Sequence, residues 1–154
     1  MNARAIVLIM LLGLFGTSAC LAADANMGTW KLNEAKSTLA PGAAKNNTVV
    51  YAAAGDAIKV TVDGTTADGK PFHNEWQGKF DGKEYPVTGD PTQDARAYRK
   101  VDDRTTEIDV KKGGKMLVSG RIVISADGKS RVISTSGTDA SGKKVSSSGY
   151  YDKQ

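Results

Sequence analysis

Cysteine and histidine are almost missing from this 154-residue chain, with Cys20 and His73 the single example of each. No cysteine follows position 20, so the folded part holds no disulfide. One histidine without cysteine partners falls short of a zinc site, which takes four protein ligands, or three and a water. Ser-His-Asp catalysis would have to run through His73, and no serine stands in a nucleophile elbow. Aromatic residues make up only 6% of the chain, and prolines number four. Charge of one sign is not in excess: 21 basic residues are interspersed with 17 acidic ones, which is an ordinary soluble surface and no footprint for nucleic acid. The carboxylate pairs Asp102-Asp103 and Glu107/Asp109 fall in a turn and on a wet strand face, where solvation explains them. Spacings for a phosphate loop or an EF-hand are missing. These absences point away from an enzyme and imply no metal and no cofactor.

Long hydrophobic runs are also missing, with one exception. Ala5 to Phe15 is an apolar stretch behind a short basic start at Arg4, and Gly16, Thr17, Ser18 and Ala19 follow it. Basic, apolar and small residues in that order form a secretory leader. The run is about half the ~20 residues a membrane helix needs. The expected division is therefore a leader over 1–25 and a single domain over 26–154, exported to the periplasm or secreted. Ala23-Asp24-Ala25 and Cys20-Leu21-Ala22 both satisfy the small-x-small rule for cleavage. Thr17-Ser18-Ala19-Cys20 resembles a bacterial lipobox, with Thr17 where leucine is usual. It supplies the alternative: lipidation of Cys20 and an outer-membrane lipoprotein.

What the sequence has in abundance is turn chemistry. Asp-Gly occurs at 63–64, 68–69, 81–82 and 127–128, among other turn pairs such as Gly89-Asp90 and Gly113-Gly114. Such pairs reach the positive φ that hairpin turns require. Between them the apolar period is two. Phe72, Asn74, Trp76, Gly78 and Phe80 share one face, and His73, Glu75, Gln77 and Lys79 share the other. Ile58, Val60 and Val62 alternate with polar residues, as do Thr106, Ile108 and Val110. Alternation in successive hairpins means one buried and one wet face. The expected strands are 27–32, 46–53, 57–66, 71–80, 83–88, 94–101, 104–112, 115–126, 129–138 and 143–151. Residues 33–45 form one long connection with room for a short helix. An antiparallel up-and-down meander of 8–10 strands removes its exposed edges by closing into a barrel. Small residues at Ala52 to Ala54 and Ser146 to Gly149 leave the interior underfilled, which suggests a narrow barrel or a cavity.

The domain opens with Gly28-Thr29-Trp30-Lys31-Leu32. A Gly-x-Trp on the first strand, then a long loop and a meander, resembles the lipocalin and calycin barrels. Together with Asp68-Gly69-Lys70-Pro71 and the run from Asp81 to Gly89, the pattern resembles an uncharacterised family of exported bacterial lipocalin-like proteins, over nearly the whole mature chain. The resemblance implies that Trp30 packs across the barrel base against an arginine from a late strand, Arg121 or Arg131. It also implies binding of small apolar or amphipathic molecules. The chain departs from lipocalins in lacking a Thr-Asp-Tyr motif and a C-terminal helix.

Candidate ligand-binding residues are the inward aromatics Trp30, Tyr51, Phe72, Trp76, Phe80 and Tyr98, together with Asn74. A buried amide such as Asn74 needs partners, either neighbouring backbone or water, or a bound ligand for which it is the polar anchor; for the aromatics, core packing comes ahead of ligand lining. Turn alternation places Lys70, Lys111, Lys112, Lys115, Lys143 and Lys144 at the end holding the 33–45 loop, a basic mouth that attracts amphiphiles with an anionic head group. The expected function is thus an exported carrier of such a ligand. The alternative is a solid-cored structural or interaction protein of the cell envelope.

Overall fold

The computed structural model describes residues 24–138 and 141–154. The leader lies outside the described residues except for Asp24 and Ala25, and so does Cys20.

Ten strands follow one another as β1 (Gly28–Leu32), β2 (Lys45–Ala54), β3 (Ala57–Thr65), β4 (Pro71–Gly78) and β5 (Asp81–Thr88), then β6 (Ala95–Lys100), β7 (Thr105–Lys112), β8 (Lys115–Ile124), β9 (Ser130–Thr138) and β10 (Lys144–Lys153). Each pairs antiparallel with its sequence neighbours, and β1 closes the ring by pairing with both β2 and β10. This is the all-β antiparallel meander closed into a barrel that the two-residue rhythm predicts. A single 3-10 turn, Glu34–Lys36, interrupts the long connection after β1.

The alternation governs which side chains meet. Val60, Val62, Asn74, Trp76, Tyr98, Ile122 and Ile124 are buried, while His73 and Gln77, the neighbours of Asn74 and Trp76, are exposed. On the outer face His73 bonds to Asp63 at 2.7 Å, and this carboxylate raises the imidazole's affinity for its proton. Aromatic rings fill the lower core: Trp76 meets Tyr98 edge-on at 4.7 Å, and Phe80 stacks on Tyr98 at 5.1 Å.

Two of the four Asp-Gly pairs lie inside strands, the first within the expected strand 57–66 and the second where a turn was expected between 71–80 and 83–88. Asp63-Gly64 belongs to β3, where a Cβ on Gly64 would sit 2.4 Å from the Phe72 ring and 2.3 Å from the Lys45 carbonyl. That glycine makes room for an aromatic ring and does not reverse the chain. Asp81-Gly82 opens β5, with Gly82 at φ 80° and the β5–β6 register shifting between Asp81 and Glu84. Positive φ serves a bulge as well as a turn. The chain instead reverses at Lys79-Phe80, so Phe80 leaves the strand and folds back over Tyr98 from the turn. The β4–β5 ladder is short as a result, with Glu75 opposite Thr88 and Trp76 opposite Val87.

Candidate functional site

A cavity of about 380 Å³ occupies the barrel interior between the core and the 33–44 connection. Its existence follows from side-chain size. Where β9 and β10 face inward, the small residues Thr135, Gly137, Ser147 and Gly149 stand beside the larger Arg131, Ile133, Val145 and Tyr151; Val49, Tyr51 and Val62 stand on β2 and β3. The small positions leave space that no side chain fills. Ser147 and Gly149 belong to the small-residue run visible in the sequence. Ala52 and Ala53, from the other such run, are exposed and take no part in the cavity wall.

The connection after β1 forms a cover. It sets Leu39, Ala40, Ala43 and Ala44 across the mouth. It is fastened to β10 by a reciprocal backbone pair between Thr38 and Ser148, at 2.8 and 2.7 Å, and by Ala40 N–H donating to Ser147 Oγ at 2.9 Å.

Arg131, on β9, forms part of the cavity wall and is 1% exposed. Its guanidinium carbon lies 4.6 Å from the Trp30 ring centre, 4.9 Å from Tyr51 and 5.1 Å from Tyr151. This settles the partner of Trp30: Arg121 points outward and bonds to Glu107 at 3.0 Å. Cation–π contacts stabilise the Arg131 charge only partly. None of its three guanidinium nitrogens has a hydrogen-bond partner among the described residues. Buried polar groups are ordinarily paired, and a charged one left unpaired is costly. A guanidinium does not escape that cost by losing its proton.

Arg96, on β6, is a second buried guanidinium, and it is largely satisfied. Its Nη2 donates to Gln93 Oε1 at 2.8 Å and to Asn74 Oδ1 at 3.4 Å, and its Nη1 to the Tyr98 hydroxyl at 3.4 Å. Asn74 and Gln93 in turn donate to Asp90 Oδ2 at 3.2 and 2.6 Å. Two amides thus stand between the Arg96 cation and the Asp90 carboxylate. Hydrogen bonds from Thr92 and Gln93 hold Asp90 below the usual carboxylate range, outweighing a burial effect in the opposite direction. Among the described residues, Asn74 is therefore bound to the side chains of Arg96 and Asp90. Burial keeps two of the cavity phenols, Tyr98 and Tyr151, in their neutral form: it raises Tyr98 and pushes Tyr151 up to about 12, although Arg131 pulls Tyr151 the other way.

Of the residues singled out in the sequence, Tyr51 and Tyr98 line the cavity. Trp30, Trp76 and Phe80 pack against those two or against Arg131, Phe72 covers Gly64, and Asn74 holds Arg96. Arg96 and Asp90 were not foreseen. The signal for Arg96 was its parity with Tyr98 two residues on. The inward turn of the Leu39–Ala44 segment had no periodic signal at all.

At the mouth the alternation of turns falls as expected, but part of the basic charge is locally met. Lys70 pairs with Asp68 at 2.9 Å, and Lys111 pairs with Glu84. A larger hollow, about 650 Å³, lies on the outer face of β7–β10 among Ser119, Ser134, Ser136 and Ser148. Two carboxylates, Glu107 and Asp109, line it, and Glu107 is already held by Arg99 and Arg121. The interior is therefore the better candidate.

No known family model matches the chain, and no curated protein resembles it significantly. Among solved structures it is similar to EF1p2_mFAP2b bound to DFHBI, at 12% identity over 86% of this chain and 97% of that one, with a TM-score of 0.49. It is also similar to a redesigned β-barrel, b11L5F_LGL, at 18% identity over 90% and 99%, with a TM-score of 0.45. A third is the redesigned β-barrel mFAP1 bound to DFHBI, at 15% identity over 86% and 98%, with a TM-score of 0.43. At these identities nothing about a ligand carries over to this chain.

Proposed function

We propose that this protein is an exported, non-enzymatic binding module whose barrel takes up a small amphipathic molecule by its anionic group. The observation that carries the reading is Arg131: a fully buried cation in the cavity wall, with no acceptor among the described residues on any of its nitrogens. A carboxylate, sulfonate or phosphate entering the cavity supplies the missing acceptors in a charge-assisted, two-pronged geometry. The apolar part of the ligand lies against Tyr51, Tyr98 and the cover residues. Each methylene taken from water there adds about 0.8 kcal/mol. Trp30, Trp76, Phe80, Phe72 and Asn74 hold the groups that touch the ligand. Lysines around the mouth raise the rate of encounter with anions, without setting the affinity. The leader places this activity in the periplasm or outside the cell, or on the outer membrane if Cys20 is lipidated.

Thermal unfolding with matched amphiphiles tests this reading. Dodecanoate at 100 times its dissociation constant stabilises the fold by about 2.7 kcal/mol. Dodecyltrimethylammonium, with the same tail and the opposite charge, is expected to have no such effect. Equal or greater stabilisation by the cation contradicts the proposal.

A further inference from the structure

The barrel base is closed by the four residues before β1, and this bears on where the chain is processed. Asp24 and Met27 form a tight turn, with Met27 N–H donating to the Asp24 carbonyl at 2.9 Å. The Asp24 carboxylate accepts from Asn26 N–H at 2.9 Å and from Asn26 Nδ2 at 3.0 Å, and faces Lys100 at 3.6 Å. Asn26 is 3% exposed. Its Nδ2 also donates to Thr106 Oγ1 on β7 at 3.1 Å, and its carbonyl accepts from Trp30 Nε1 at 2.7 Å. Ala25 and Met27 pack against the core. Trp30 is the ring beneath Arg131, so this plug is continuous with the floor of the cavity.

Cleavage after Ala25, one of the two small-x-small sites, would make Asn26 the N-terminus. An α-ammonium would then occupy a buried position, and the Asp24 carboxylate that meets the Asn26 N–H would be gone. A buried charge stripped of its partner is strongly unfavourable.

We propose that the chain is processed on the N-terminal side of Asp24, so that the mature protein keeps Asp24–Met27 as the plug of its base. For the Cys20-Leu21-Ala22 site, water hydrolyses the Ala22–Ala23 amide. The leader leaves with a carboxylate on Ala22, and the mature chain starts with an ammonium on Ala23. This inference rests on the export reading alone and does not depend on the ligand.

Intact mass and N-terminal sequencing of the full-length gene product, recovered from its own cell envelope or medium, test it. A mature chain beginning at Ala23, or at a lipidated Cys20, is the expected result. A chain beginning at Asn26 overturns the inference and leaves export standing. An uncleaved chain beginning at Met1 overturns export and the inference together.

Discussion

Replacing Arg131 by methionine removes the affinity for anionic amphiphiles while the ligand-free barrel stays folded. Removing one partner of a buried, hydrogen-bonded charge pair costs about 2–5 kcal/mol of binding, so dodecanoate affinity falls at least about 30-fold. For the unliganded protein two effects oppose each other. Arg131 gains from three aromatic rings within 5.1 Å, contacts worth about 0.5–2 kcal/mol each. Against this, its unpartnered nitrogens carry a desolvation penalty, and replacing buried ions by apolar side chains of similar size is often neutral or favourable by about 1–4 kcal/mol. The net change in urea-unfolding stability is expected to stay under about 2 kcal/mol. Arg121→Met, on the outer face, leaves dodecanoate binding unchanged. A barrel that loses most of its stability with Arg131→Met while keeping its affinity would show that this arginine serves the core alone.

The largest expected loss of stability is at Trp76. The side chain is 1% exposed and makes ring contacts with Phe80, Tyr85 and Tyr98. Its Nε1 donates to the Arg96 carbonyl at 2.9 Å, tying β4 to β6 across the short β4–β5 ladder. Few ladder pairs share the load there, so the tryptophan supplies connection as well as burial. Trp76→Ala is expected to cost about 3–5 kcal/mol in urea unfolding. Glu75→Ala, next in the chain on the outer face and paired with Lys59 at the surface, should change stability by about 0.5 kcal/mol or less. Reversed sensitivities at these two positions would mean that the strand faces are assigned the wrong way round.

Most of the fold was legible because a strand with one wet face writes itself in a two-residue period. Phe72, Asn74 and Trp76 against His73, Glu75 and Gln77 show it most plainly. Turn chemistry was less decisive: glycine at positive φ makes a turn at Gly69 and a bulge at Gly82, and only pairing tells them apart. The site was half legible. Tyr51 and Tyr98 follow from parity, and the cavity follows in part from small residues near Ser147. The arginine over Trp30 was narrowed to Arg121 and Arg131, on neighbouring strands, and their opposite facing emerges only from the structure. Arg96 was hidden because a charged residue at an inward position reads as a surface residue until its partners are known. Two of those partners, Asn74 and Gln93, with Asp90 behind them, come from β4 and the β5–β6 connection. Asn26 was hidden for a similar reason: it precedes the first strand and bonds to Thr106 on β7, far away in sequence.

Arg131 is an unsatisfied guanidinium inside a hollow barrel, and the most direct measurement observes that group itself. The Nε–Hε resonance of Arg131 can be followed by NMR as dodecanoate is added. A saturable downfield shift, with slowed hydrogen exchange at that proton, is the predicted result. An unchanged Arg131 signal, with shifts confined to the mouth lysines, would contradict the claim that the interior holds the anion.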